Sequence, residues 1–310
     1  MHFSITQLNQ LSTIALKAAT RAGQYINQFD RSKLKTGFKA SGSSLSSQVV
    51  TEVDLHCQAI IIEQLQASCD EYDIALLSEE NCTEIAINEH ERLTKDCFWC
   101  IDPLDGTLSF IEGNDGYAVS IALVNKAGSP ILSAIYLPAT NCTYHMKFDT
   151  HGKAQVYKNG AIFNPNNNVD KKQLKQTQDL HFYCDCSFLT SKQYPILIQQ
   201  LSALLPTLRL TALKVISGNG AVVNALLVLE DAPACYIKLP KSRQGGGAVW
   251  DFSATACISH EVNAWVSDIH GLPLQLNQHD SYYMNKNGVL FASDKRLGEI
   301  LLLAINKHFN

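Results

Sequence analysis

The stretch that most constrains this chain is Trp99-Cys100-Ile101-Asp102-Pro103-Leu104-Asp105-Gly106-Thr107. An apolar strand runs to Asp102, where Pro103, with no N–H to give a ladder, is expected to stop it, and Gly106 turns the chain into a new segment. Two carboxylates therefore sit at a strand end. A hard divalent cation such as Mg²⁺ takes oxygen ligands, and Asp102, Asp105 and the peptide carbonyl of Leu104 between them can face one point in such a turn. Thr107 falls at a helix start, where free backbone N–H groups favour a phosphate oxygen. One turn thus offers a cation site on one side and a phosphate site on the other. The same hexapeptide also satisfies a plain turn, in which Asp102 or Asp105 only caps a helix.

The 310 residues suffice for one large or two medium domains, and 46% apolar with 17% charged residues is the balance of a compact soluble protein. A net charge of −4 with no basic excess argues against a nucleic-acid polymer as partner and leaves room for a small anion held by metal. No apolar run approaches the roughly 20 residues of a membrane span. Met1-His2-Phe3-Ser4 lacks a signal peptide's basic flank and apolar stretch, so a cytoplasmic location is expected. Cys97 and Cys100 have C-x-x-C spacing, but they lie within a strand, where alternate side chains face opposite ways, and no second C-x-x-C completes a zinc site. Buried reduced thiols are the expectation for the ten cysteines.

Apolar residues at helical spacing from Leu8 to Ile26 predict a long amphipathic helix over Ser4 to Phe29. Arg31 to Ser47, basic and then rich in Ser and Gly, reads as a hairpin or mobile loop carrying Lys33, Lys35 and Lys39, the last either solvated or facing a site. Thr51-x-x-Asp54 fits a capped start to a second helix ending near Ala67, or places Asp54 as a base beside the metal site. Ile74 to Leu77 is a short strand ending in Ser78-Glu79-Glu80, so at least one glutamate falls where a ligand would be. Strands over Tyr117 to Val124 and Ile131 to Leu137 follow the first turn, giving an antiparallel sheet beside two helices. The composition break from Asn164 to Gln178 sets an expected boundary between domains 1–165 and 166–310. Beyond it, strands at 181–184 and 208–215 alternate with helices at 195–205 and 221–229, a second α/β layer. Ser217-Gly218-Asn219-Gly220 has an anion-binding shape that a tight turn explains equally well. A flexible basic loop with Lys238, Lys241, Arg243 and Gly245-Gly246-Gly247 leads to Asp251, either a helix cap or a metal ligand from the second half. A strand and turn over 264–271 and a helix over 297–308 close the chain.

Taken together, Glu79-Glu80, Asp-Pro-Leu-Asp-Gly-Thr at 102–107 and Trp250-Asp251-x-x-Ala254 resemble the signature of the inositol monophosphatase superfamily of lithium-sensitive, magnesium-dependent phosphatases. That resemblance implies a layered αβαβα sandwich of the sugar-phosphatase type, α+β and α/β in its two halves, commonly dimeric, hence a homodimer here. It also implies two or three Mg²⁺ ions on Glu79, Asp102, the Leu104 carbonyl, Asp105 and Asp251. Asp54, Thr107 and Glu79 match the water-activating groups, and Gly106 and Thr107 the phosphate-binding turn. Inositol monophosphatases carry a glutamate after an Ala-Tyr-Tyr-type strand, whereas Cys235-Tyr236 is here followed by Ile237 and Lys238. Ser217-Gly218-Asn219 and the segments 268–271 and 284–290 are more similar to the 3'(2'),5'-bisphosphate nucleotidases, and Lys238, Lys241 or Arg243 could meet a second phosphate. The expected substrate is a small phosphorylated metabolite, adenosine 3',5'-bisphosphate first. An inositol phosphate, fructose 1,6-bisphosphate and a metal-bound scaffold without turnover are the alternatives.

Overall fold

The computed structural model describes residues 3–34, 36–38, 49–165, 178–307 and 309. Among the described residues, a seven-stranded sheet, a five-stranded sheet and six helices stack as α–β–α–β–α, and a seventh, short helix, α3 (Thr107–Ile111), follows the second strand of the larger sheet. On the outside lie α1 (Ile5–Gln28), started by a Ser4/Gln7 capping box, and α2 (Glu52–Tyr72). A short antiparallel pair, β1 (Thr36–Phe38) and β2 (Val49–Thr51), joins them, as a hairpin requires. Lys33 is exposed and lies 3.4 Å from Asp30, whereas Lys35, Lys39 and most of the boundary segment 164–178 fall outside the described residues. α2 runs five residues past its expected end at Ala67, to Tyr72, and Asp73 caps it in the left-handed region.

The first sheet has the order β3 (Ala75–Ser78), β4 (Cys97–Asp105), β5 (Ala118–Asn125), β6 (Pro130–Leu137), β7 (Cys142–Phe148), β8 (Ala154–Lys158), β9 (Ala161–Ile162). Its β3–β4 pair is parallel and the others antiparallel. The last three strands were not foreseen, although Cys142, Tyr144 and Met146 alternate inward. Alternation along β4 sends Cys97, Trp99 and Ile101 to the core under α1 and α2, and Phe98 and Cys100 to the core on the other face. All ten cysteines are free thiols.

The second sheet runs β11 (Leu213–Ile216), β10 (Leu180–Tyr183), β12 (Ala234–Lys238), β14 (Val289–Ala292), β13 (Trp265–Ser267), with β10 parallel to both neighbours. Between the sheets lie α5 (Ala221–Glu230) and α6 (Val249–Glu261), and on the far face α4 (Tyr194–Leu208) and α7 (Lys295–Ile305). The expected strand from Leu208 is corrected: α4 holds that residue, Arg209 closes the helix in the left-handed region, and pairing begins at Leu213. α6 comes from the second half yet packs on β4, β5 and β6, so the central apolar core is built by both halves. Each large apolar side chain buried there contributes about 1.5–3 kcal/mol.

Candidate active site

Strand direction assembles the site. Because β3 and β4 are parallel, their carboxyl ends leave the sheet together, bringing Glu79 beside Asp102 and Asp105. β4 does not stop at Pro103. Pairing with β5 passes from Asp102↔Ser120 to Asp105↔Ala118, so the strand bulges over Pro103 and Leu104 and resumes. A bulge is where a residue without an N–H is tolerated, and here it turns two carboxylates to one side.

Asp105 accepts hydrogen bonds from the backbone N–H groups of Ala221 (3.0 Å) and Val222 (2.8 Å), at the start of α5. The anion-binding shape read at 217–220 is thus filled by the protein's own carboxylate. Two glycines permit it. A Cβ on Gly220 would lie 2.3 Å from Asp105 Oδ2, and Gly106, at φ +81°, passes so close to Gly116 that a Cβ would meet its carbonyl at 2.5 Å. Asp251, in the first turn of α6, accepts from Ala248 N–H at 2.6 Å while presenting its carboxylate to the same point. Cap and candidate ligand are therefore one residue, and Asp54 repeats the device. Its Oδ2 accepts from Thr51 N–H (2.8 Å) and Thr51 Oγ1 (2.5 Å), and its Oδ1 from the Thr107 hydroxyl (2.9 Å), which also lies 3.1 Å from the Leu104 carbonyl.

Asp102, Asp105 and Asp251 bring one oxygen each to within 4.8 Å of one another. Burial, then Glu79 and the other two aspartates, pushes Asp102 well above the usual carboxylate range, and Asp105 is raised by burial and Asp251. Asp251 is raised to about 6 by burial, with Lys238 opposing. Burial likewise lifts Asp54 to about 6 against the pull of the Thr51 bonds. Asp102 Oδ2 is buried with no hydrogen-bond partner. Such an orphaned oxygen in an all-oxygen donor set fits a hard divalent cation, which would supply the missing partner. Glu79 lines the cavity outside this compact trio, and Leu104 lines it beside them.

The cavity, about 430 Å³, has a second wall. Gly218, Asn219, Lys238 and Lys241 line it, as read from the sequence, whereas Ser217 and Arg243 are exposed and outside the lining. The loop expected to be flexible is stitched down, with Lys241 N–H donating to the Asn285 carbonyl (2.9 Å) and Met284 N–H to the Gly247 carbonyl (2.9 Å). Asp185, Cys186, Ser187 and Tyr283 also line the cavity and were missed. Their one sequence signal is that Asp185 follows an apolar strand, at the carboxyl end where α/β sheets bind ligands.

The comparisons with known proteins mark the chain as a phosphatase acting on phosphomonoesters. The inositol monophosphatase family model matches residues 7–308, and the chain belongs to that family. It is 28% identical over 282 residues to the 3'(2'),5'-bisphosphate nucleotidase CysQ of Haemophilus influenzae, covering 88% of each chain. Against the same-named protein of Escherichia coli K12 it is 27% identical over 248 residues, 77% of this chain and 84% of that one. The Nus factor SuhB of Vibrio cholerae is 33% identical over 136 residues, 43% of this chain and 46% of its own. Among solved structures, the extragenic suppressor protein suhB of Bartonella henselae superposes with a TM-score of 0.67 at 18% identity, covering 96% of this chain and 98% of its own. Inositol monophosphatase from Anabaena does so at 0.65 and 19%, covering 97% and 96%. No described helix is long and apolar enough to cross a membrane.

Proposed function

We propose that this chain is a Mg²⁺-dependent 3'(2'),5'-bisphosphate nucleotidase, hydrolysing adenosine 3',5'-bisphosphate to AMP and phosphate. The observation that carries this reading is the lining of one cavity, which gathers the clustered carboxylates Asp102, Asp105 and Asp251 and also the ammonium groups of Lys238 and Lys241. A phosphate to be cleaved needs cations, and a second phosphate needs fixed positive charge a few ångströms away. The CysQ relatives support the same substrate class.

Two or three divalent ions on Glu79, Asp102, the Leu104 carbonyl, Asp105 and Asp251 would lower the pKa of a water and neutralise charge developing on phosphoryl and leaving oxygens. With its one hydroxyl hydrogen given to Asp54 (2.9 Å) rather than to the Leu104 carbonyl (3.1 Å), Thr107 would accept a hydrogen bond from the attacking water and relay its proton to Asp54. A carboxylate near 6 suits that work at neutral pH. Gly106 and the Thr107 N–H receive the phosphate, and Gly218, Asn219, Lys238 and Lys241 hold the remainder of the substrate. We further infer domains 1–165 and 166–310 meeting at this cavity, a homodimer to be checked by light scattering, and a reducing, cytoplasmic setting in keeping with ten free thiols.

The test is phosphate release with Mg²⁺ on adenosine 3',5'-bisphosphate, inositol 1-phosphate and fructose 1,6-bisphosphate side by side. The nucleotide is expected to be preferred. Preference for either sugar phosphate overturns the substrate, and silence on all three with Mg²⁺ bound favours a scaffold.

A further inference from the structure

Asp185 lies two residues beyond Tyr183 of β10, and Lys238 two residues beyond Tyr236 of β12. Tyr183 and Tyr236 are partners in a parallel pair, so the period of two carries Asp185 and Lys238 to the same face at the same edge. There Lys238 Nζ stands 3.0 Å from Asp185 Oδ2, and the Tyr236 hydroxyl donates to Asp185 Oδ1 at 3.0 Å. The ammonium lies 5.4 Å from the centre of the Phe252 ring and 5.8 Å from that of Tyr236, and the side chain is only 11% exposed. Burial would push Lys238 down, but Asp185, Asp251 and Asp105 together hold it above its ordinary value.

Lys238 lines the same cavity as Asp102, Asp105 and Asp251, and that builds a conflict into it. An ammonium on a flexible four-carbon stem is a mobile cation, and a cluster of buried aspartates beside it is a competing partner in a low-dielectric space. If Lys238 swung to Asp251 and Asp105, it would neutralise the residues meant for metal and vacate the wall meant for substrate. Among the described residues, Asp185 is the one carboxylate within ion-pair distance of it.

We propose that Asp185 is a positioning residue: its carboxylate, itself held by Tyr236, keeps the Lys238 ammonium out of the Asp102, Asp105 and Asp251 cluster, leaving that cluster to divalent cations and the free N–H groups of Lys238 to the substrate. The role rests on reading the cluster as the metal site. It assigns Asp185 no contact with the reacting atoms, so its signature is metal affinity rather than turnover.

The experiment is a Mg²⁺ titration of the melting temperature, without substrate, of the wild type, Asp185→Asn, Tyr236→Phe and the double variant Asp185→Asn/Lys238→Met. Asp185→Asn is expected to raise about tenfold the Mg²⁺ concentration needed for a given rise in melting temperature, by freeing the ammonium to compete. The double variant, with no ammonium left to compete, should return to within about threefold of the wild type. Tyr236→Phe, which only loosens Asp185, should raise that concentration by less, and it carries the test if Asp185→Asn does not fold. A concentration unchanged in the folded single variants, or a double variant as weak as Asp185→Asn, overturns the proposal. A wild type whose melting temperature ignores Mg²⁺ overturns the metal-site reading itself, and this role with it.

Discussion

The two walls of the cavity solve opposite problems. On the acidic wall, Asp102 and Asp105 are buried and Asp251 is half-buried beside them, and their pKa values are raised because desolvation and mutual repulsion are only partly answered by Lys238 and backbone N–H groups. On the basic wall, Lys238 is less deeply placed and carries its own counter-ion, Asp185, which is anchored in turn by Tyr236. A charge left uncompensated in the interior costs several kcal/mol and invites a ligand, whereas a compensated one is held ready at little cost. The contrast teaches that the acidic wall is built to be completed by something from outside, and the basic wall to be merely visited.

The sharpest way to break this comparison is to remove one charge from the acidic wall. Asp105→Asn keeps an acceptor for only one of the Ala221 and Val222 N–H groups, sets its amide NH2 against the other, and deletes a charge from the cluster. Phosphate release should fall by about 10³-fold or more, while the melting temperature without Mg²⁺ changes little, because the lost hydrogen bond offsets the relief of repulsion. Near-normal activity would sink the role. On the opposite wall, Lys238→Met should raise KM for adenosine 3',5'-bisphosphate by about 10- to 100-fold and change that for a nucleoside monophosphate far less. Equal losses on both substrates would mean that Lys238 serves the cleaved phosphate instead.

Protons sharpen the same contrast. Asp54 and Asp251, at about 6, lie above the ordinary carboxylate value, so the folded protein holds protons that the unfolded chain has already lost. For a raised acid the favourable contribution is complete below about pH 4 and is lost as pH climbs to about 6, roughly 3 kcal/mol for Asp54 alone. Divalent cations compete with those protons. The rise in melting temperature caused by Mg²⁺ should therefore be several-fold larger at about pH 8 than at about pH 5, a difference scanning fluorimetry reads directly. A pH-independent rise would place the ion elsewhere.

How much of this was legible follows from how local each feature is. The turn at Asp102–Thr107 could be read because Pro103 and Gly106 carry their own conformational instructions. That β4 continues through Pro103 could not, since the bulge is defined against β5, a strand that begins only at Ala118. The helix start at Gly220 was visible as a shape, but its occupant, Asp105, lies 116 residues away from Ala221. Asp185 belongs to no motif, and its meaning appears only when β10 and β12 pair in register. Thr51-x-x-Asp54 allowed two readings: the structure builds the helix cap on Asp54 Oδ2, and it turns Oδ1 to the Thr107 hydroxyl, where the proposed base would have to work.

That double duty gives the mildest test. Thr51→Ala removes the side chain that caps α2, which should cost about 1 kcal/mol of stability. It also removes a donor to Asp54 that holds the carboxyl down against burial, so the Asp54 pKa moves up from about 6. Since the base works ionised, the acid limb of kcat/KM should move to higher pH, with the plateau little changed. Thr51→Ser keeps the hydroxyl and should restore both the cap and the limb. If Thr51→Ala lowers the melting temperature but leaves the limb where it was, Asp54 only caps the helix, and the base for the attacking water must be sought among the carboxylates facing the cavity.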